Sequence, residues 1–430
     1  MCGRQGDGEG LLLLGPPRVS DVVTGSISRC LEEDSLVDFE MISVDHHIDL
    51  QYLPGDLRTE RLPAALRDRG PRVAETEVGY SWVCDDRSWG PWAGGKPKGP
   101  PVKRYFQNAM ERGGVYEPGV LRPTIPDLRL VDMTRDGIAA SFMFGPIQAF
   151  YCEDPALRVA IHRAYNDWLI EFCSYEPTRL YGVAALPSEP GDIDAAIEEM
   201  RRLAAGGELK QVNFLVGRAG QAYGPEWEPF WTAAEETGMI VSFHVGGASP
   251  AARPGAPATP SSSSNAPLAA EQPASVFAPS KSFILSFLDT FHGLLAAGTL
   301  DRHSKVKLML AEVGLGWLPW LVHEMDYRYQ RLLDNKAYWD ERGGINLSMP
   351  PSEIWKRNFW VTFQDDPVGL AQLEFCNEDH ILWAADYPHP DSTFPDSREI
   401  EESQMAKLSS EQRPKILRTN AIDLYGLALQ

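Results

Sequence analysis

The chain has 430 residues, 43% of them hydrophobic and 10% aromatic, enough apolar material for a large core and too much for a disordered chain. Its 60 acidic and 40 basic residues leave a net charge of -20, a field that repels phosphate backbones and excludes nucleic acid as the expected partner. Its six cysteines are scattered without a C-x-x-C pair, which argues against a disulfide framework or a cysteine zinc site and fits a reducing cytoplasm.

In chain order, residues 1–40 read as a loose, partly disordered N-terminal extension. The leucine run Leu11–Leu14 is too short for a membrane span or a signal core. No other stretch approaches the length of a span, so a cytoplasmic protein without a membrane partner is expected. Residues 41–430 read as a single domain. Short apolar runs rich in β-branched and aromatic residues recur at 41–47, 137–145, 179–187, 210–217, 238–247, 305–314, 358–366 and 380–389. Helical patterns lie between many of them. "DPALRVAIHRAYNDWLIEFCSYEP" opens at Asp154-Pro155, "GDIDAAIEEMRRLAAGG" stops at Gly206-Gly207, and "EWEPFWTAAEETG" is a third.

Alternation of strand and helix means parallel strands with crossover helices, and eight strands predict a (β/α)8 TIM barrel. A doubly wound open sheet is the competing architecture. It normally carries a glycine-rich phosphate turn after its first strand, and "VDHHIDL" is not one. Two large loop insertions interrupt the pattern. Residues 51–136 are rich in Gly, Pro and Trp and include the amphipathic piece "VKRYFQNAMERGG". Residues 248–281 are low-complexity and directly follow the fifth strand, where a loop is either inert or a lid over the site. There is no internal repeat.

Barrel enzymes place their chemistry at the C-terminal ends of the strands. Those ends carry Asp45, His46, His47 and Asp49 after the first strand, His244 after the fifth and Glu312 after the sixth. Asp365 and Asp366 follow the seventh, and Asp386 and His389 the eighth. Any one of them has a bland explanation as a cap or a loop hydrogen-bonder. Together they would crowd carboxylates and imidazoles into one mouth, at a large desolvation cost that a divalent cation removes. Alternation along the first strand sorts the opening motif. Asp45 and His47 point into the mouth, and Asp49 shares their parity. His46 faces the helix layer together with Ile42 and Val44.

The stretches "ISVDHHI", "RLYGVAALP", "VSFHVGG", "LAEVGLGWLP" and "ADYPHPDSTFP" resemble the amidohydrolase-related family (amidohydrolase 2). This branch of the metal-dependent hydrolases includes aminocarboxymuconate semialdehyde decarboxylase and the resorcylate-type decarboxylases. The resemblance runs from about Ile42 to Leu427 and implies a (β/α)8 barrel with one divalent metal. Carried over by position, the ligands are Asp45, His47, His244 and Asp386. The family often has H-x-H on its first strand, whereas this chain has D-x-H. Zinc is the expected ion, and the carboxylate makes manganese the alternative. A second departure is Glu312, where many decarboxylases of the family have histidine. A third is Leu315, where the resorcylate type has glutamate.

These residues and the resemblance together predict a hydrolase in which a metal-activated water attacks a small carbonyl, lactone, amide or activated C–C substrate. Asp386 would ligate the metal and accept the proton of the water, and Glu312 would protonate the leaving group. His389 and His292 are further candidates for substrate contact or for orienting a ligand. Trp317 and Arg122 are candidates for lining the substrate pocket, with packing and salt-bridge roles as their plainer alternatives. The alternative function is a metal-dependent non-oxidative decarboxylase of a small aromatic or dienoic acid. A catalytically dead barrel serving as a scaffold is the third reading, and it is disfavoured because all four ligand positions hold competent side chains. The expected partner is a small-molecule substrate, with a homodimer as the assembly allowed for.

Overall fold

The computed structural model describes residues 41–76, 79–85, 87–95, 107–146, 150, 152–213, 222–244, 278–344 and 347–428. The N-terminal extension and the lid or loop at 248–277 therefore lie outside the described residues. Residues Phe39–Gln430 form one compact unit.

Eleven strands are described: β1 Met41–His47, β2 Arg72–Thr76, β3 Gly79–Cys84, β4 Arg87–Pro91, β5 Ile138–Phe144, β6 Leu180–Ala185, β7 Gln211–Asn213, β8 Ile240–His244, β9 Leu308–Ala311, β10 Phe359–Phe363 and β11 Ile381–Trp383. Eight of them form one sheet in the order β1-β5-β6-β7-β8-β9-β10-β11, with each consecutive pair parallel. The ring closes between its first and last members. The Asp386 N–H donates to the Asp45 carbonyl at 2.9 Å, and the His47 N–H donates to the Tyr387 carbonyl at 2.7 Å. This is the expected (β/α)8 barrel.

The helices begin and end where local chemistry permits. Helix Pro155–Cys173 is capped by Asp154, whose carboxylate accepts the Ala156 and Leu157 N–H groups at 2.9 and 3.2 Å. Helix Ile193–Gly206 stops at Gly207, whose φ of 82° suits a residue without Cβ. Outward-facing strand residues such as Met143, Val212, Phe243, Leu310 and Trp383 share a core with the helices. Inward residues form a separate core of Ile42, Val44, Ala140, Phe142, Ala311 and Leu382. Its floor is Tyr425, whose ring stacks on Phe142 at 3.8 Å.

One expectation is corrected here. Strict alternation would send Ile42 and Val44 outward with His46, yet both belong to the inward core. The register of β1 against β5 shifts between Ser43 and His46, so one extra residue resets the alternation. His46 consequently turns outward and His47 inward, opposite Phe144.

Most residues of the insertion after β1 are among those described. It holds the antiparallel sheet β2-β3-β4 and a short helix at Asn108–Arg112. Two indoles pin it to the chain leaving β1: Trp82 donates to the Leu50 carbonyl at 2.7 Å and Trp92 to the Leu53 carbonyl at 2.8 Å. Its last piece, helix Pro126–Arg135, packs on β5 as the helix preceding that strand.

Candidate active site

The strand ends converge at one mouth of the barrel. His47 Nε2 stands 3.2 Å from Asp45 Oδ1, 3.1 Å from Asp386 Oδ1 and 3.2 Å from His244 Nε2. His244 Nε2 is also 3.4 Å from Asp45 Oδ1 and 3.6 Å from Glu312 Oε2. Asp45 and Asp386 are fully buried, and Glu312 is nearly so. A single ring nitrogen cannot donate to three partners at once. Ligands about 2.1 Å from a common ion would stand roughly 3.0–3.5 Å from one another, which matches this spacing.

The satisfaction of the carboxylates agrees with a cation. Both oxygens of Asp45 and both of Asp386 are buried without a hydrogen bond, although imidazole nitrogens stand close to them. Four such atoms in one place would be costly without a positive charge among them. Asp45, His47, His244 and Glu312 form one group whose ligand atoms lie within 4.8 Å of one another. His47, Glu312, Asp386 and His389 form a second, overlapping group. Imidazoles mixed with hard carboxylate oxygens suit zinc or manganese.

Electrostatics assigns different states to these groups. Burial alone would raise the Asp45 carboxyl, but His244 and His47 beside it hold it below its ordinary value. Asp386 is lowered in the same way by His389 and His47 against burial. Burial, reinforced by the Asp386 charge, pushes Glu312 well above the usual carboxylate range. Burial would lower His389, but Asp386 and Asp49 outweigh it and raise it well above an ordinary histidine.

The backbone is strained at the same place. Glu312 and Asp386 have φ of 61° and 56°, in the left-handed region that few side chains tolerate. Such strain persists where surrounding bonds over-determine it. The Glu312 N–H donates to Thr362 Oγ1 at 2.7 Å, and the Gly314 N–H to the Thr362 carbonyl at 3.2 Å. The Asp386 N–H is held by the Asp45 carbonyl in the closure of the barrel.

Of the residues singled out from the sequence, the structure brings together Asp45, His47, His244, Glu312, Asp386 and His389. It places three others apart. His292 is exposed on helix Ala278–Ala296, with its ring against Phe291. The Trp317 indole donates to the Val313 carbonyl at 2.8 Å and sits edge-on to Phe287 and Trp355, as packing. Arg122 is buried and bound bidentately to Asp132 at 2.7 and 2.8 Å, so its guanidinium is not free to hold a substrate carboxylate. Leu315 is likewise fully buried.

Sequence reasoning missed the support of Arg129 and the wall of Phe144, and named Asp366 only as a strand-end carboxylate, not as a holder of backbone. Arg129, fully buried, donates to the His47 carbonyl at 2.5 Å and the Pro123 carbonyl at 2.8 Å, and stands 3.3 Å from His46 Nδ1. Asp366 accepts backbone N–H groups of the loop that follows Glu312. The Phe144 ring flanks His244, with centroids 4.8 Å apart. None of the three carries a motif. Only the end-of-strand position of Phe144 and Asp366 offered a signal.

The amidohydrolase family's sequence profile matches residues 120–427. The γ-resorcylate decarboxylase of Rhodococcus jostii (strain RHA1) is 27% identical over 322 residues, covering 70% of this chain and 88% of that protein. An amidohydrolase from Mycobacterium avium subsp. paratuberculosis K-10 has a similar structure, with TM-score 0.62 and 19% identity, covering 91% of this chain and 100% of that one. A dihydroxybenzoic acid decarboxylase from Polaromonas sp. JS666, solved with manganese and the inhibitor 2-nitroresorcinol, matches with TM-score 0.56 and 17% identity over 91% of this chain and 98% of that one. The profile spans the barrel from the helix before β5 to the C-terminal floor and takes in His244, Glu312 and Asp386, so the chain belongs to the amidohydrolase family and is an enzyme of that superfamily.

Proposed function

We propose that this chain is a metal-dependent non-oxidative decarboxylase of a small aromatic hydroxy acid, with manganese as its ion and zinc as the alternative. The observation that carries this reading is the pair of overlapping groups at the barrel mouth, Asp45, His47, His244 and Glu312 with His47, Glu312, Asp386 and His389. Similarity to a γ-resorcylate decarboxylase over most of both chains supports the substrate class. A manganese-bound decarboxylase with the same fold supports the ion.

In the reaction, the bond between ring carbon and carboxylate breaks and its electron pair stays on the ring carbon. That carbon takes up one proton, and carbon dioxide leaves. Bound at the cluster, a divalent ion supplies positive charge that gathers an anionic substrate and offsets electron density as it builds. Glu312 is the candidate proton donor, its carboxyl raised well above the usual carboxylate range by burial and the Asp386 charge. His244 Nε2 stands 3.6 Å from the Glu312 carboxyl. Phe144 offers an aromatic wall for a planar ring beside His244.

Hydrolysis is the second reading, favoured by Glu312 standing where many decarboxylases of the family carry histidine. The test is incubation of the manganese-loaded protein with a panel of hydroxybenzoates, 2,6-dihydroxybenzoate among them, and with aryl esters and lactones. Release of carbon dioxide together with the matching phenol is expected. Water-addition products without carbon dioxide would overturn decarboxylation in favour of hydrolysis.

A further inference from the structure

Asp49 lies just past β1 and is the N-cap residue of the short turn Leu50–Tyr52, with φ -75° and ψ 154°. An aspartate there ordinarily accepts N–H groups of the turn it opens. The Asp49 carboxylate makes no such bond, and only its backbone carbonyl accepts the Tyr52 N–H, at 2.9 Å. Its Oδ1 lies instead 3.2 Å from His389 Nε2, across the mouth of the barrel. The other ring nitrogen, Nδ1, lies 2.9 Å from Asp386 Oδ1. The imidazole thus bridges two carboxylates. It also lies flat on the His47 ring, with centroids 3.7 Å apart and planes 22° apart. A tight turn fixes its backbone, with the His389 N–H donating to the Asp386 carbonyl at 2.9 Å and the Ser392 N–H to the His389 carbonyl at 3.1 Å.

We infer that Asp49 is a positioning residue of the metal centre: through His389 it sets the place of the Asp386 carboxylate and so the affinity of the cluster for a divalent ion. Both nitrogens of His389 face protein carboxylates, so the ring serves as a link rather than as a substrate contact. This inference rests on the metal-centre reading above. A carboxylate behind an imidazole that serves a metal site commonly accounts for 10–100-fold in metal affinity.

The experiment is titration of the full-length protein with manganese, following the free ion by electron paramagnetic resonance, for the parent and for Asp49→Asn, Asp49→Glu, His389→Gln and the double variant Asp49→Asn/His389→Gln. Asp49→Asn is expected to bind manganese about 10-fold or more weakly, with an unchanged circular dichroism spectrum. Asp49→Glu, which keeps the carboxylate, is expected to recover part of that loss. The double variant is expected to bind no more weakly than His389→Gln alone, because Asp49 acts only through that ring. Losses that multiply in the double variant would overturn the inference, as would Asp49→Asn affinity within about twofold of the parent. If Asp49→Asn does not fold, Asp49→Glu and His389→Gln decide. Weakening in His389→Gln with recovery in Asp49→Glu supports the inference, and parent-like affinity in His389→Gln overturns it. A parent protein that takes up neither manganese nor zinc would sink the metal-centre reading itself, an outcome distinct from parent-like binding by a variant.

Discussion

The Asp366 carboxylate at the end of β10 accepts the Leu315 N–H at 2.5 Å, and the same oxygen accepts the Gly316 N–H at 2.8 Å. Its other oxygen accepts the Gly369 N–H at 2.7 Å. The loop that carries Glu312 in its left-handed conformation is thereby tied to the neighbouring strand end. Asp366→Asn replaces one acceptor oxygen with a donor and leaves at least one N–H unpaired, at a cost of about 1–3 kcal/mol. We expect a lower melting temperature and a fall in kcat of roughly 10-fold with little change in KM, because the loop holds a proton donor rather than a binding group. Steady-state kinetics with thermal denaturation checks this, and a KM effect alone would contradict it.

Asp386 tolerates one substitution better than others. Asparagine accepts positive φ more readily than most residues, so Asp386→Asn removes a charge without adding strain. We expect Asp386→Asn and His244→Ala to keep the parent circular dichroism spectrum and to lose about 100-fold or more of activity, with bound metal falling from about one ion per chain toward none. Elemental analysis by mass spectrometry, run beside activity assays before and after dialysis against a chelator, measures both. Near-parent metal content and activity in Asp386→Asn would remove this residue from the site.

Two buried acids away from the site set a pH dependence of stability. Burial raises Asp136 to about 7 against the Ser397 hydroxyl and N–H, and raises Glu401 to about 8 against Gln404. Each keeps its proton in the folded state at pH values where the unfolded chain has lost it. The folded state then binds more protons, and stability falls as pH rises between the ordinary carboxylate value and the raised one. At about 1.4 kcal/mol per unit, Glu401 alone costs on the order of a few kcal/mol above pH 8. Glu401→Gln should therefore gain stability relative to the parent as pH goes from 5 to 8.5, in a comparison that cancels the opposite dependence of Asp45 and Asp386. Melting curves across that range check the sign, and a gap that shrinks with rising pH would refute it.

Arg129 makes a fourth case. Its fork reaches the His47 carbonyl, the Pro123 carbonyl and the His46 ring from a fully buried position. Lysine offers a point charge and cannot serve all three directions. Arg129→Lys and Arg129→Met should each lose roughly 2–5 kcal/mol of stability in urea unfolding. Lysine recovering the parent midpoint would show that charge, not the fork, is what counts.

Much of this architecture was legible beforehand, for identifiable reasons. Strands buried on both faces read as near-continuous apolar runs, which is why residues 137–145 stand out around β5. Asp154-Pro155 and Gly207 announced helix ends through capping and positive φ. The metal-type residues were legible because few other roles bring so many carboxylates and imidazoles to strand ends. Strict alternation put Ile42 and Val44 outward, and only the shifted register of β1 reconciles their inward position with an inward His47. Arg122 and Trp317 looked available for substrate because sequence does not show that Asp132 and the Val313 carbonyl already hold them. Asp366 and Arg129 act on backbone groups, and such bonds leave no pattern in side-chain order. Nor does periodicity reveal the positive φ of Glu312 and Asp386, which only the folded context imposes.

The bond from the Asp386 N–H to the Asp45 carbonyl joins positions 341 residues apart, as 386 less 45, and closes the barrel through its first and last strands. During synthesis the opening motif leaves the ribosome long before its counterpart exists. At roughly 5–20 residues per second the wait is on the order of tens of seconds. For that interval β1 has β5 on one side and an unfilled edge on the other, and Asp45 and His47 stand without Asp386. The Asp386 side of the candidate cluster is therefore added only when the last strand of the ring has been made.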